Sequence, residues 1–234
     1  MEKRKQIYEG KAKILYETDN PDYLIQYFKD DATAFNAQKK GTIQGKGIVN
    51  NKISTKIFGY LESQGIPTHF EKMLSDREML VKRVTIVPLE VIIRNVAAGS
   101  LTKRLDVPEG TILACPIFEF SYKNDALGDP LINEYHAIAL RYATEEEIAA
   151  IKKFAFQIND LMKKFFAAIN VDLIDFKLEF GKYKGKIILA DEISPDTCRL
   201  WEKGTGRKLD KDRFRRDLGG IEEAYQEILT KVVK

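Results

Sequence analysis

Leu173-Ile-Asp-Phe-Lys-Leu-Glu-Phe-Gly-Lys-Tyr-Lys-Gly-Lys-Ile-Ile-Leu-Ala-Asp-Glu192 consists of two apolar-rich arms around a glycine-bounded turn, the pattern of a β-hairpin. The first arm alternates strictly. Phe176, Leu178 and Phe180 point one way and Asp175, Lys177 and Glu179 the other, because successive strand side chains face opposite sides. With Gly181 to Gly185 as the turn and Phe180 opposite Lys186, residues of equal parity share a face. Ile187, Leu189 and Asp191 are then expected beside Asp175, Lys177 and Glu179. Glu179 and Asp191 lie close together in that arrangement. Two repelling carboxylates on a rigid ladder need a cation, and Mg²⁺ takes one or two protein carboxylates while keeping positions for water and nucleotide phosphates. Ile187 and Leu189 are expected to flank a nucleobase. An amphipathic hairpin with a merely solvated charged face has a similar pattern, but two large aliphatics on that face favour a site.

The chain has 234 residues, 44% of them hydrophobic, which suffices for a core in one large domain or two small lobes. Its 38 Lys and Arg against 35 Asp and Glu leave a charge of +3. That excess is too slight for a nucleic-acid track or an anionic membrane surface, while small anionic substrates stay open. Cys115 and Cys198, the only cysteines, have no metal-ligand spacing, so reduced thiols in a cytoplasmic setting are expected. Met-Glu-Lys-Arg-Lys at the start precedes no apolar run, and the most apolar stretch, Thr85 to Ile93, is broken by Pro88 and Glu90. Neither a signal peptide nor a membrane span is expected. His69 and His136 are isolated and receive no chemistry.

Outward from the hairpin, the N-terminal segment suggests two short strands around Gly10, a Thr-Asp-Asn-Pro turn, and a third strand from Tyr23 to Lys29. Gly41, Gly45 and Gly47 mark a loop that enters a helix from about Ile48 to Ser63, stopped by Gly65 and Pro67. Strands resume at Met79 to Arg83 and Glu90 to Asn95. Thr144 and Glu147 have capping-box spacing, and Ile148, Ile151, Ala155, Ile158, Met162, Phe165 and Ile169 continue a helical stripe. A last helix presents Ile221, Tyr225, Ile228 and Val232 on one side. The expected fold class is α+β, with a β-rich lobe over residues 1–84, a larger mixed lobe over 85–234 and a cleft between them.

Four further segments carry candidate chemistry. Gly10-Lys-Ala-Lys13 sits at a strand turn where Lys11 and Lys13 can cover phosphates, although a solvated hairpin gives the same pattern. In Val91 to Ser100 an apolar strand delivers Arg94, and the small residues that follow bring main chain and the Ser100 hydroxyl together, suited to a phosphate monoester. Close packing of two elements at Ala97 to Gly99 explains that run equally well. The turn at Ser194-Pro-Asp196 aims Arg199 back toward the same opening, and Lys123-Asn-Asp125 occupies a polar loop.

The ordered set of motifs resembles the SAICAR synthetase family over essentially the whole chain. It comprises Gly-Lys-Ala-Lys at 10–13, Val-Asn-Asn-Lys at 49–52, Leu-Ser-Asp at 74–76, Arg-Asn-Val-Ala-Ala-Gly-Ser at 94–100, Lys-Asn-Asp at 123–125, Asp-Phe-Lys-Leu-Glu-Phe-Gly at 175–181, Asp-Glu-Ile-Ser-Pro-Asp at 191–196 and Asp-Arg-Phe-Arg at 212–215. The resemblance implies a two-lobed architecture related to ATP-grasp and kinase-like proteins. It also implies an ATP-dependent ligase joining L-aspartate to the carboxylate of 5-amino-1-(5-phosphoribosyl)imidazole-4-carboxylate (CAIR), with magnesium, as a cytoplasmic homodimer.

On this resemblance Lys11, Ala12, Lys13, Lys82, Lys123, Glu179 and Asp191 serve ATP, and Glu179 and Asp191 hold the metal. Glu90, Arg94, Ser100, Lys177 and Arg199 serve CAIR, with Asp175, Lys177, Glu179 and Asp191 as the catalytic set. Lys40 to Gly47 and Arg215 offer cations for aspartate, and Asp175 or a substrate phosphate is a candidate base. A small-molecule kinase would use the same metal carboxylates. A basic nucleotide- or RNA-binding module is a further alternative, which the interleaved acids oppose.

Overall fold

The computed structural model describes residues 1–34 and 38–234. Its first sheet is antiparallel and built from β1 (Lys3–Glu9), β2 (Lys13–Thr18), β3 (Tyr23–Phe28), β6 (Phe70–Met73) and β7 (Glu78–Lys82), in the order β1-β2-β3-β7-β6. A small ribbon of β4 (Asp31–Ala34) and β5 (Lys39–Thr42) precedes α1 (Lys46–Ser63). The glycine-marked loop is thus partly strand, with Gly41 in β5, Gly45 capping α1 in a left-handed conformation and Gly47 already helical. Ile53, Ile57 and Leu61, four residues apart, are buried on α1 as their spacing predicts.

The second sheet follows the order β10-β9-β8-β11-β12, with β13 also pairing β11. Its strands are β8 (Thr85–Val96), β9 (Ile112–Tyr122), β10 (Leu131–Ile132), β11 (Val171–Tyr183), β12 (Lys186–Ala190) and β13 (Cys198–Glu202). Two short helices, α2 (Ser100–Leu105) and α3 (Glu134–Ala139), interrupt this half. The long helix α4 (Glu145–Ala167) starts at a full capping box between Thr144 and Glu147 and lies against β11 and β8. The short α5 (Asp212–Arg215) precedes α6 (Ile221–Val233), which packs on α1.

Alternation sets the two faces of the second sheet. Val87, Leu89, Val91 and Ile93 of β8, with Phe176, Leu178 and Phe180 of β11, are buried in one continuous core that includes Ile151, Ile158 and Met162 of α4. Each such aliphatic or aromatic side chain contributes roughly 1.5–3 kcal/mol through burial. The opposite face presents Glu90, Ile92 and Arg94 from β8 against Glu179, Lys177 and Asp175 from β11 in direct register.

The register of the hairpin departs from expectation by three residues. Its turn is Lys184-Gly185, both at positive φ (49° and 77°), and Phe180 lies opposite Leu189 rather than Lys186. A slip by an odd number of residues exchanges the faces. Ile187 and Leu189 consequently belong to the hydrophobic core instead of flanking a nucleobase.

Candidate active site

One cavity of about 700 Å³ is lined by both sheets, and every residue singled out above for ATP, metal or CAIR contributes to its wall. Asp191 reaches it by a route that strand alternation does not supply. β12 ends at Ala190, and Asp191 takes a left-handed backbone (φ 64°) that turns its carboxylate back toward Lys13. Gln26 Nε2 donates to its main-chain oxygen at 3.5 Å. Asp and Asn are among the few residues with a side chain that enter this conformation readily.

At this end of the cavity lysines surround the two acids. Lys123 Nζ and Lys177 Nζ each donate to Glu179 Oε1 at 2.7 Å, and Lys177 also reaches Glu90 at 2.7 Å. Lys13 pairs with Asp191 and lies 3.1 Å from Glu192. Burial opposes the charged forms of Lys13, Lys123, Lys177 and Asp191, yet attraction to their partners outweighs it. Asp191 is held well below the usual carboxylate range by Lys13, Lys177 and Lys123. Against the same burial, Asp191 and Glu192 raise the Lys13 ammonium, while Glu179, Asp191 and Glu90 raise that of Lys177. The Gly10 turn bridges the cavity through Lys11 and Asp125 at 2.7 Å. Leu15, Leu24, Val81, Val84 and Ile86 form an apolar stretch of the same wall. Lys82 joins that stretch, with its ammonium on the carbonyls of Thr68 (3.0 Å) and Phe70 (3.2 Å).

Arginines dominate the other end. Arg94 and Asp175 are register partners on β8 and β11, and Asp175 and Arg199 are partners on β11 and β13. Arg94 Nη1 donates to Asp175 Oδ2 at 3.0 Å, and Arg199 Nη1 to both Asp175 oxygens at 3.0 and 2.9 Å. Asp175 is therefore a brace between two guanidiniums, an arrangement that leaves it poorly placed as a base. Arg94 Nη2 also donates to Ser100 Oγ at 3.1 Å. The close-packing reading of the small-residue run holds at Gly99: its φ is 60°, and a Cβ there would collide with the Arg199 guanidinium. Close packing is what brings the arginine over the loop.

Lys211 and Arg215 complete the lining beyond Arg199. Burial lowers the Lys211 ammonium pKa, Lys46 and Arg215 reinforce the shift, and Asp196, 3.5 Å away, counters it. Lys40 instead lines an adjoining cavity with Lys29 and Thr42. Sequence reasoning passed over Glu192, Glu119, Asp212 and Lys211. The alternating Phe118-Glu-Phe120 was the available signal for Glu119, and with it for β9. Among the described residues no group of three or more His, Cys, Asp or Glu side chains gathers as a metal cage. The pair Glu179 and Asp191 fits the Mg²⁺ pattern of one or two carboxylates completed by water and phosphate.

A cleft that gathers lysines around two carboxylates and continues into an arginine-lined end defines an enzyme acting on phosphorylated, anionic substrates. The sequence profile of the family described as SAICAR synthetase matches residues 6–232. The chain belongs to that family. The phosphoribosylaminoimidazole-succinocarboxamide synthase of Caldanaerobacter subterraneus subsp. tengcongensis is 62% identical over 232 residues, 99% of each chain. The crystal structure of the enzyme of that name from Ehrlichia chaffeensis matches with a TM-score of 0.96 at 48% identity, covering 97% of this chain and 98% of the other. A SAICAR synthetase solved in complex with ADP matches at 0.93 with 50% identity over 96% of each chain. The chain is accordingly a ligase of the ATP-dependent ligation step of purine biosynthesis, not a kinase or a binding module. Among the described residues no helix is long and apolar enough to cross a membrane.

Proposed function

We propose that the cavity joins the amine of L-aspartate to the carboxylate of CAIR through an acyl phosphate. The observation that supports this reading is the continuity of the lysine-held acids with the arginine end inside one cavity. A carboxylate is a poor electrophile until one of its oxygens is phosphorylated, so ATP and the imidazole carboxylate must meet in a single space. The nucleoside lies on the apolar wall of Leu15, Leu24, Val81 and Ile86, near Ala12 and Lys82, and the phosphates extend toward Lys11, Lys13 and Lys123. Glu179 and Asp191 would hold Mg²⁺, which supplies charge neutralisation on the phosphates.

Arg94, Ser100 and Arg199 take the 5′-phosphate of CAIR, whose remote binding orients the reacting carboxylate. Lys177, between Glu90 and Glu179, sits where it can stabilise charge on that carboxylate during transfer. Lys211 and Arg215 receive the carboxylates of aspartate. The N-terminal lobe, residues 1–84, covers the nucleotide, and residues 85–234 carry the CAIR end. The enzyme works in the cytoplasm as a homodimer, and a monomeric mass by analytical ultracentrifugation would remove the latter assignment.

CAIR labelled with ¹⁸O in its carboxylate tests the chemistry. One labelled oxygen should appear in the released phosphate, and ADP release should require CAIR. Unlabelled phosphate would sink the acyl-phosphate route.

A further inference from the structure

We infer that Glu119 and Asp212 are positioning residues: each holds one phosphate-binding arginine by its ε nitrogen and so presets the anion site between them. The inference rests on the CAIR-phosphate assignment above, and it comes from tracing every donor of the two guanidiniums. Arg94 gives Nε to Glu119 Oε2 at 2.7 Å, Nη1 to Asp175 at 3.0 Å and at longer range to the Ala98 carbonyl (3.4 Å), and part of Nη2 to Ser100. Arg199 gives Nε to Asp212 Oδ2 at 2.9 Å and Nη1 to Asp175. Its Nη2 makes no hydrogen bond among the described residues and lies over Gly99. The two arginines are thus treated alike: a private carboxylate on Nε, the shared Asp175 on Nη1, and Nη2 left at the Gly99-Ser100 loop.

A planar guanidinium with two of its three nitrogens held cannot rotate, so the direction of the third is fixed. The private acids come from two different elements, Glu119 on β9 and Asp212 at the start of α5. Each is itself anchored from outside. Arg104 donates to Glu119 Oε1, and Arg215 to Asp212 Oδ1 at 2.6 Å. The result is an alternating row of seven charges, Arg104–Glu119–Arg94–Asp175–Arg199–Asp212–Arg215, whose two central arginines each have a nitrogen turned to the loop. The side chains of Glu119 and Asp212 are 15% and 1% exposed, which keeps water from competing for the Nε positions.

Positioning makes a prediction that charge alone does not. Glu119→Ala and Asp212→Ala should each raise the KM for CAIR by about 10- to 100-fold, the range for partners that orient a directly binding group. The inhibition constant of ribose 5-phosphate should rise by the same factor, with kcat within about threefold and the KM for ATP unchanged. Glu119→Gln and Asp212→Asn keep an acceptor for Nε and should restore most of the loss. Tighter CAIR binding in both the alanine and the amide variants would show that the acids only offset charge, and would overturn the inference. So would an unchanged KM in well-folded alanine variants. If Glu119→Ala does not fold, Glu119→Asp, with its acceptor drawn back by one methylene, carries the same test with an intermediate rise. Arg94→Ala is assayed alongside. An unchanged KM for CAIR there refutes the phosphate assignment, whereas a raised KM there with parental values in the two alanine variants refutes the positioning role alone.

Discussion

The two ends of the cavity are both built from paired opposite charges, yet they differ in how the cations are held. At the Glu179 and Asp191 end the cations are lysines, point charges on flexible stems. At the Asp175 end they are arginines whose planes are locked by carboxylates on two nitrogens. Ammonium groups can leave a carboxylate oxygen when a stronger cation or a phosphate arrives, and three of them can move independently. Braced guanidiniums keep their direction whether or not an anion is present. The first arrangement suits exchange of partners and the second a fixed direction of approach.

The sharpest test of that contrast is at the exchangeable end. Glu179→Gln or Asp191→Asn should lower kcat by about 10³-fold or more, because each removes half of the proposed metal-holding charge, while leaving the thermal midpoint close to the parent. ADP release at saturating Mg²⁺ measures it, and near-parental turnover would end the assignment. Arg94→Ala should act on binding instead, weakening CAIR by about 2–4 kcal/mol, or roughly 30- to 1,000-fold, with the ATP affinity intact. Titration calorimetry with each ligand separates the two, and equal losses for both would erase the distinction between the ends. Lys123→Ala should have a smaller effect, roughly tenfold on the KM for ATP, since Lys177 still reaches Glu179 Oε1. A loss as large as that of Glu179→Gln would show that the lysines do not share their task.

The remaining effect is on stability rather than on ligand binding, and it belongs to pH. Behind the arginines, Asp210 is fully buried, accepting from the amides of Leu200 (2.8 Å) and Asp212 (2.7 Å). Burial, with Asp212 beside it, raises its pKa to about 7. Folding therefore favours the protonated carboxyl. Stability from this group is complete below the ordinary carboxyl range near pH 4 and is lost as pH rises to about 7, by at most a few kcal/mol (~4). Asp212, held at about 2 against burial by Arg199 and Arg215, loses its contribution only in acid. Tm of the parent should fall between pH 5 and 8 more than Tm of Asp210→Asn, and parallel curves would exclude Asp210 as the cause.

Local pattern made half of this site legible. The alternation of Asp175, Lys177 and Glu179 against Phe176, Leu178 and Phe180 is a property of one strand, and the structure reproduces it. Pairing between strands was less accessible. The register of the hairpin depended on which residues formed the turn, and placing it over Gly181 to Gly185 instead of Lys184-Gly185 moved Ile187 and Leu189 to the wrong face. Asp191 still reached the cavity, for a reason period-two reasoning does not contain. Glu119 and Asp212 acquire meaning only through neighbours 25 and 13 residues away. β9 was overlooked because Pro116 and a weak alternation disguise a strand of eleven residues.

The left-handed turn at Asp191 also restricts what chemistry the position can be asked to accept. A longer acid there would carry its carboxylate on a backbone that Glu enters reluctantly, and glycine would relax the bend while removing the charge. Asparagine is the one replacement that alters charge while keeping the path of the chain. Efforts to retune the proposed metal site are therefore better directed at Glu179, whose place in β11 needs no left-handed backbone.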